Sequence, residues 1–164
     1  MKLTLAAALL AAPFLQHDWS TWKGDGCRMA YPTDWTVREG APMGAAAFFM
    51  APVKDSLDSF RENVNLMVQP LNGATLDDYV RTTHEQIAEL LEQGRLISSS
   101  PSGNDGHEFE YTGLMNGANL HWKAVVRVKN DSAFLITYTA REERFGELLY
   151  LADAMMRSLS FTER

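Results

Sequence analysis

Four side chains close together in the sequence could do chemistry: Glu108, Glu110, His121 and Lys123. Two carboxylates and an imidazole on one surface can bind a cation or share a proton, the equipment of a metal-dependent hydrolase built on Glu108, Glu110 and His121. Lys123 speaks against it, because an ammonium beside such a site opposes a bound cation. Glu110 opposite Lys123 reads instead as an ordinary cross-strand ion pair, worth about a few tenths of a kcal/mol. The sequence has no GxSxG elbow, P-loop, dinucleotide GxGxxG, HExxH or CxxC, the short motifs that carry a mechanism. The other histidines are His17, His84 and His107. His84 has no second histidine four residues on, and solvated side chains are expected at His17 and His84. The single cysteine, Cys27, sits among Arg28, Met29 and Tyr31 at the start of a strand-like segment and reads as a buried structural thiol. The sequence therefore predicts a non-enzymatic protein with no catalytic residue, no bound metal and no cofactor.

The elements that position these residues follow from turn and period signals. Asn116-Gly117 is the strongest hairpin signal, because a type I′ turn needs positive φ at both central residues. It sets Met115 against Ala118, Thr112 against His121 and Glu110 against Lys123. Phe109, Tyr111, Met115, Leu120, Trp122, Val126 and Val128 then share one face, and Glu108, Glu110, Thr112, Asn119, His121, Lys123 and Arg127 the other. Further strands are predicted over about 27–31, 35–38, 45–50, 63–68, 96–99 and 133–140, the last apolar on both faces and so covered from both sides. One helix starts at a capping box of Thr75 and Asp78 and stops at Gly94, with Leu76, Tyr79, Val80, Thr83, Ile87, Leu90 and Leu91 at helical spacing. A second spans about 143–159, and its paired Met155 and Met156 belong to an apolar core stripe. The breaker-rich run from Ser98 to Gly106 reads as a loop. The predicted fold class is α+β, an α/β/α sandwich with a central, mainly antiparallel sheet flanked by helices.

The 164 residues, 46% of them hydrophobic, suffice for one globular domain without disulfide or metal. A net charge of −6 argues against a nucleic-acid partner, which draws on clustered Lys and Arg. Lys2 followed by the apolar run Leu3–Leu15 and then Gln16, His17 and Asp18 has the form of a secretory signal. As a helix the run is about 20 Å long, too short for the ~30 Å hydrocarbon core, so no transmembrane span is expected. The domain reading is 1–16 as signal segment and 17–164 as a single domain, located in the periplasm or secreted; the alternative to a signal is an apolar N-terminal helix that packs on the domain, and the alternative location is the cytoplasm. Cys27 follows Gly24-Asp25-Gly26, not a lipobox.

Four Trp, five Tyr and eight Phe raise the prospect of an apolar groove for a lipid, peptide or partner helix. Trp19, Trp22, Tyr31 and Trp35 cluster near the start, and Phe48 and Phe49 must point to opposite faces of a strand. The simpler reading is that both phenylalanines are core.

Several ordered segments resemble the DcrB-related and PsbP-like family. They are Tyr31-Pro32-x-x-Trp35, Phe60-Arg61-Glu62-Asn63-Val64-Asn65-Leu66, Thr75-Leu76-Asp77-Asp78-Tyr79, Ala133 through Ala140, and Arg157-Ser158-Leu159-Ser160-Phe161. The resemblance covers about residues 28–161. It implies an α/β/α sandwich, no established catalytic site, and hence no residue role to transfer. DcrB-like members are envelope proteins, PsbP proteins are lumenal photosystem subunits, and the Eag chaperones are cytoplasmic and shield type VI secretion effectors. The missing lipobox departs from the lipidated members, the apolar N-terminal run from the Eag chaperones, and the acidic balance from PsbP. The resemblance therefore implies a DcrB-like envelope protein, peripherally associated with the envelope and binding a protein partner or an apolar ligand. The cytoplasmic Eag-like chaperone is the alternative.

Overall fold

The computed structural model describes residues 17–41, 44–54 and 60–162; the signal segment expected over 1–16 lies outside them. Among the described residues ten strands and two α-helices follow in the order β1 (Trp19–Gly24), β2 (Cys27–Pro32), β3 (Thr36–Ala41), β4 (Ala45–Met50), β5 (Asn63–Pro70), α1 (Leu76–Leu90), β6 (Glu92–Pro101), β7 (Gly106–Met115), β8 (Ala118–Lys129), β9 (Ser132–Arg141), α2 (Phe145–Ser158) and β10 (Ser160–Phe161). Seven strands form one antiparallel sheet in the order β3-β4-β5-β9-β8-β7-β6, and β1-β2-β10 form a second, small sheet. The α+β sandwich is as predicted, with the difference that the N-terminal strands do not extend the main sheet.

The tight hairpins follow from residues that tolerate the left-handed region. Asn116 and Gly117 have φ of 50° and 76°, and β7 pairs with β8 in the expected register, Met115 to Ala118 and Glu110 to Lys123. Asp25 and Gly26 (50° and 77°) make the same kind of turn between β1 and β2, a strand pair that the sequence reading did not resolve. Ser160–Phe161, just beyond the helix expected over about 143–159, form a short strand that pairs with Arg28 and Cys27.

β9 is the centre of the molecule. Phe134, Ile136, Tyr138 and Ala140 face α2 and the small sheet, joining Phe49, Val64, Leu66, Met155, Met156, Trp22 and Met29 in the larger core. Ala133, on its other face, joins Phe109, Ala124 and Val126 beneath Leu76, Tyr79 and Val80 of α1. Each fully buried apolar side chain of this kind contributes ~1.5–3 kcal/mol. The helices are not equal covers: α2 buries Phe145, Leu151, Ala152, Met155 and Met156, whereas α1 buries only Ile87. Phe49 is fully buried and Phe48 half-buried on the opposite face. Cys27 is 1% exposed, and burial, then the nearby Asp25 charge, pushes its thiol up to about 11, as befits a packing residue.

The Phe60–Leu66 motif holds structure in place. Arg61 donates from Nε and Nη2 to the Ala51 carbonyl (2.9 and 2.6 Å). The Ala51 N–H donates to the Glu62 carbonyl, and the buried Glu62 carboxylate lies 3.6 Å from Nε of Arg144, just before α2.

Three expectations for α1 and β6 need correction. The capping box is present, with Thr75 Oγ1 accepting from the Asp78 N–H and the Asp78 carboxylate accepting from the Thr75 N–H. The helix ends at Leu90, with Leu91 as C-cap, so Gly94 is not its stop and Leu90 is exposed (74%). Gly94 lies inside β6, where a Cβ would collide with the Ile87 carbonyl oxygen, so close approach of strand to helix is what requires glycine there. Ser98–Pro101 is strand and not loop, because pairing with β7 overrides its breaker composition; Pro101 is tolerated at the end of an edge strand.

Gly94→Ala is therefore expected to lower stability by about 1–3 kcal/mol in urea denaturation. Gly146→Ala, with nothing within 4 Å of the new methyl, should cause no loss, and equal effects of the two would contradict this reading.

Candidate functional site

The polar face of the β7–β8 hairpin is roofed by α2, which encloses its charges. Lys123, its side chain only 16% exposed, bridges Glu108 (3.2 Å) on β7 and Asp153 (2.9 Å) on α2. Burial alone would lower its pKa, but hydrogen bonds and charge from Asp153 and Glu108 outweigh that and hold it above the ordinary lysine value. The expected Glu110–Lys123 pair is replaced by two diagonal pairs. Glu110 turns instead to His121, whose Nε2 lies 2.9 Å from Oε1 and whose ring stacks on Phe145 with centroids 3.5 Å apart. The extra partner on α2 draws Lys123 along the strand, and the Phe145 ring fixes the imidazole beside Glu110.

Glu108, Glu110 and His121 thus lie on one face but belong to separate pairs. Among the described residues no group of three or more His, Cys, Asp and Glu side chains is placed to hold a metal ion.

Beside the Lys123 bridge lies a cavity of about 250 Å³, lined by Glu108, Lys123, Arg127, Asp153, Arg157 and Ser102 over an apolar floor of Val125 and Met156. Gly106 lets β7 approach the chain at Ser102: a Cβ there would come within 2.7 Å of the Ser102 carbonyl and 2.8 Å of the Val126 carbonyl. The Ser102 N–H donates to the Gly106 carbonyl (2.9 Å) and the Val128 N–H to the Asp105 carbonyl (2.8 Å), so the loop that brings Ser102 to the cavity is pinned at both ends. Arg127 sits on the polar face in the expected register, and Asp153 and Arg157 lie off the apolar stripe of α2. The sequence shows each of these positions and not that they meet.

A second cluster was missed by sequence. His84 on α1 is not a solvated side chain: its Nε2 lies 2.8 Å from Ser99 Oγ on β6, and Nε2 of His107 on β7 lies 2.7 Å from the same oxygen. Both rings contact Phe109. One hydroxyl can donate to one imidazole and accept from the other, which clips α1 to the sheet edge. Burial, then the neighbouring His84, hold the His107 pKa below its ordinary value, with Asp77 opposing. The available signal was the alternation of His107 with Phe109 on the α1 face.

Two helices laid on either side of an antiparallel sheet in this order define a PsbP-like α+β sandwich, the fold implied by the resemblance. Solved structures similar to this chain include cyanobacterial PsbP (CyanoP) from Synechocystis sp. PCC 6803, with TM-score 0.63 and 16% identity over 94% of this chain and 98% of that one. PA94 of Pseudomonas aeruginosa, a protein of unknown function, matches with TM-score 0.63 and 14% identity over 89% of this chain and 99% of that one. LpqN of Mycobacterium tuberculosis, involved in cell envelope biogenesis, matches with TM-score 0.61 and 12% identity over 89% and 91%. Likeness at these identities is likeness of fold. No protein-family model and no curated protein matches the chain. No helix among the described residues is long and apolar enough to cross a membrane.

Lys123→Met leaves Glu108 and Asp153 facing each other without a cation, and a loss of about 1–2 kcal/mol at neutral pH is expected. In the unsubstituted protein the raised pKa of Lys123 contributes stability below the ordinary lysine value of 10.5, and this contribution is lost as pH climbs above it. Urea denaturation across pH checks both; a pH-independent loss in the variant would contradict the bridge.

The depressed pKa of His107 has the opposite sign. Its contribution is present above the ordinary histidine value of 6.5 and declines as pH falls below it. His107→Gln, which can still bond Ser99, should flatten that decline in thermal melts between about pH 5 and 7.

Proposed function

We propose that this chain is a non-enzymatic, exported envelope protein that binds a protein partner or small ligand. The observation that carries the non-catalytic part is how the hairpin's ionisable groups are used. Lys123 holds Glu108 and Asp153, and Glu110 holds His121 against Phe145. General acid or base catalysis needs a group free to exchange its proton with a substrate, whereas these groups spend their charge fastening α2 to the sheet. Export is supported by the Lys2 and Leu3–Leu15 pattern, and by fold likeness to LpqN, a protein involved in cell envelope biogenesis. For the ligand, the cavity beneath α2 is lined mainly by charged side chains, and suits a polar group better than the apolar one the aromatic content suggested.

Mass spectrometry of the protein from fractionated cells of a Gram-negative host tests the compartment. A mature N-terminus downstream of Leu15 in the periplasmic fraction is expected. Intact protein with Met1 or Lys2 in the cytosol would overturn export and favour a cytoplasmic chaperone.

A further inference from the structure

We propose that the cavity beneath α2 is a binding site for a monoanionic oxyanion, a phosphodiester or a carboxylate, held by Arg127 and Arg157. Three cations line it, Lys123, Arg127 and Arg157, against two carboxylates, Glu108 and Asp153. Lys123 engages both carboxylates, at 3.2 and 2.9 Å, so the pocket keeps one net positive charge in a chain whose overall charge is −6.

The two guanidiniums carry that surplus. Neither has an ion-pair partner among the described residues, and Nε of Arg127 is buried without any hydrogen-bond acceptor. A buried donor left unpaired costs about 1–3 kcal/mol, and native chains keep few of them. The two carboxylates that line the cavity, Glu108 on β7 and Asp153 on α2, are both turned to Lys123. An acceptor from outside the chain would satisfy Nε of Arg127.

The chemistry of a fitting acceptor follows from the donors. A guanidinium offers a planar fork that matches two oxygens of a phosphate or carboxylate. Val125 and Met156 beneath it exclude water on one side, which strengthens a charge-assisted bond. A volume of about 250 Å³ is below that of drug-sized pockets and suits one headgroup or one terminal carboxylate. The dianion of a phosphomonoester would exceed the single surplus charge and meet Glu108 and Asp153. The pinned loop at Ser102–Gly106 keeps Ser102 in place at the cavity.

The proposal deepens the binding reading, on which it rests. Its test reads the cavity and not the compartment, so either can fail without the other. ¹H–¹⁵N NMR of the purified chain, titrated with dimethyl phosphate, with acetate and with chloride at matched ionic strength, follows the Nε–H signal of Arg127 and the amide of Arg157. A saturable shift with dimethyl phosphate or acetate, and not with chloride, is expected; whichever saturates at lower concentration distinguishes a lipid-type phosphodiester from a carboxylate. Arg157→Ala, at an exposed position where folding is not at stake, should weaken the saturable binding about tenfold, and Arg127→Gln should abolish it. Shifts that match chloride, or saturable binding unchanged in Arg157→Ala, would overturn the proposal.

Discussion

The structure depends on one strand that has no solvent face. Along β9, every residue from Ala133 to Ala140 except Leu135 is buried, and an antiparallel strand apolar on both sides must be covered from both sides. One cover is α1; the other is α2 with the small β1-β2-β10 sheet. The covers are tied down by polar bonds at their edges. Ser158 Oγ accepts from the Ala30 N–H (2.8 Å), joining α2 to β2, and Trp22 Nε1 donates to Glu39 (2.8 Å), joining the small sheet to β3.

Covering β9 with α2 has an electrostatic consequence. The neighbouring strand β8 brings His121, Lys123 and Arg127 under the same helix, where full hydration is lost and each charge needs a partner. Lys123 and His121 find theirs within the fold; Arg127 does not. The requirement that stabilises the sheet thus also leaves an unpaired guanidinium in a defined hollow. On the α1 side the same pressure is met by a serine hydroxyl shared between two imidazoles.

Much of this was legible from sequence where local chemistry decides. The Asn116-Gly117 turn set the hairpin register, the Thr75–Asp78 box set the start of α1, and the two-faced 133–140 segment required two covers. The strand β1 was missed although Asp25-Gly26 is the same turn chemistry, because Trp19–Gly24 lacks a clean alternation and two glycines flank the aspartate. Of the loop expected from Ser98 to Gly106, the part from Ser98 to Pro101 became strand because β7 supplies hydrogen bonds that composition does not reveal, and only 102–105 stays a loop. For the site, residue types and faces could be read, including Arg127 beside Lys123. The diagonal pairing of Lys123 with Glu108 could not, because it depends on Asp153, thirty residues away on α2.

The face shared by β9 and α2 holds the larger core, whereas α1 is attached more lightly, through Ile87, the part-buried Leu76, Tyr79 and Val80, and the His84–Ser99–His107 clip. Native-state amide hydrogen exchange tests it most directly. The account predicts that β9 and α2 share the slowest exchange and open only with global unfolding, while α1 exchanges through openings of lower free energy. Protection of α1 equal to that of β9, with α2 opening first, would contradict it.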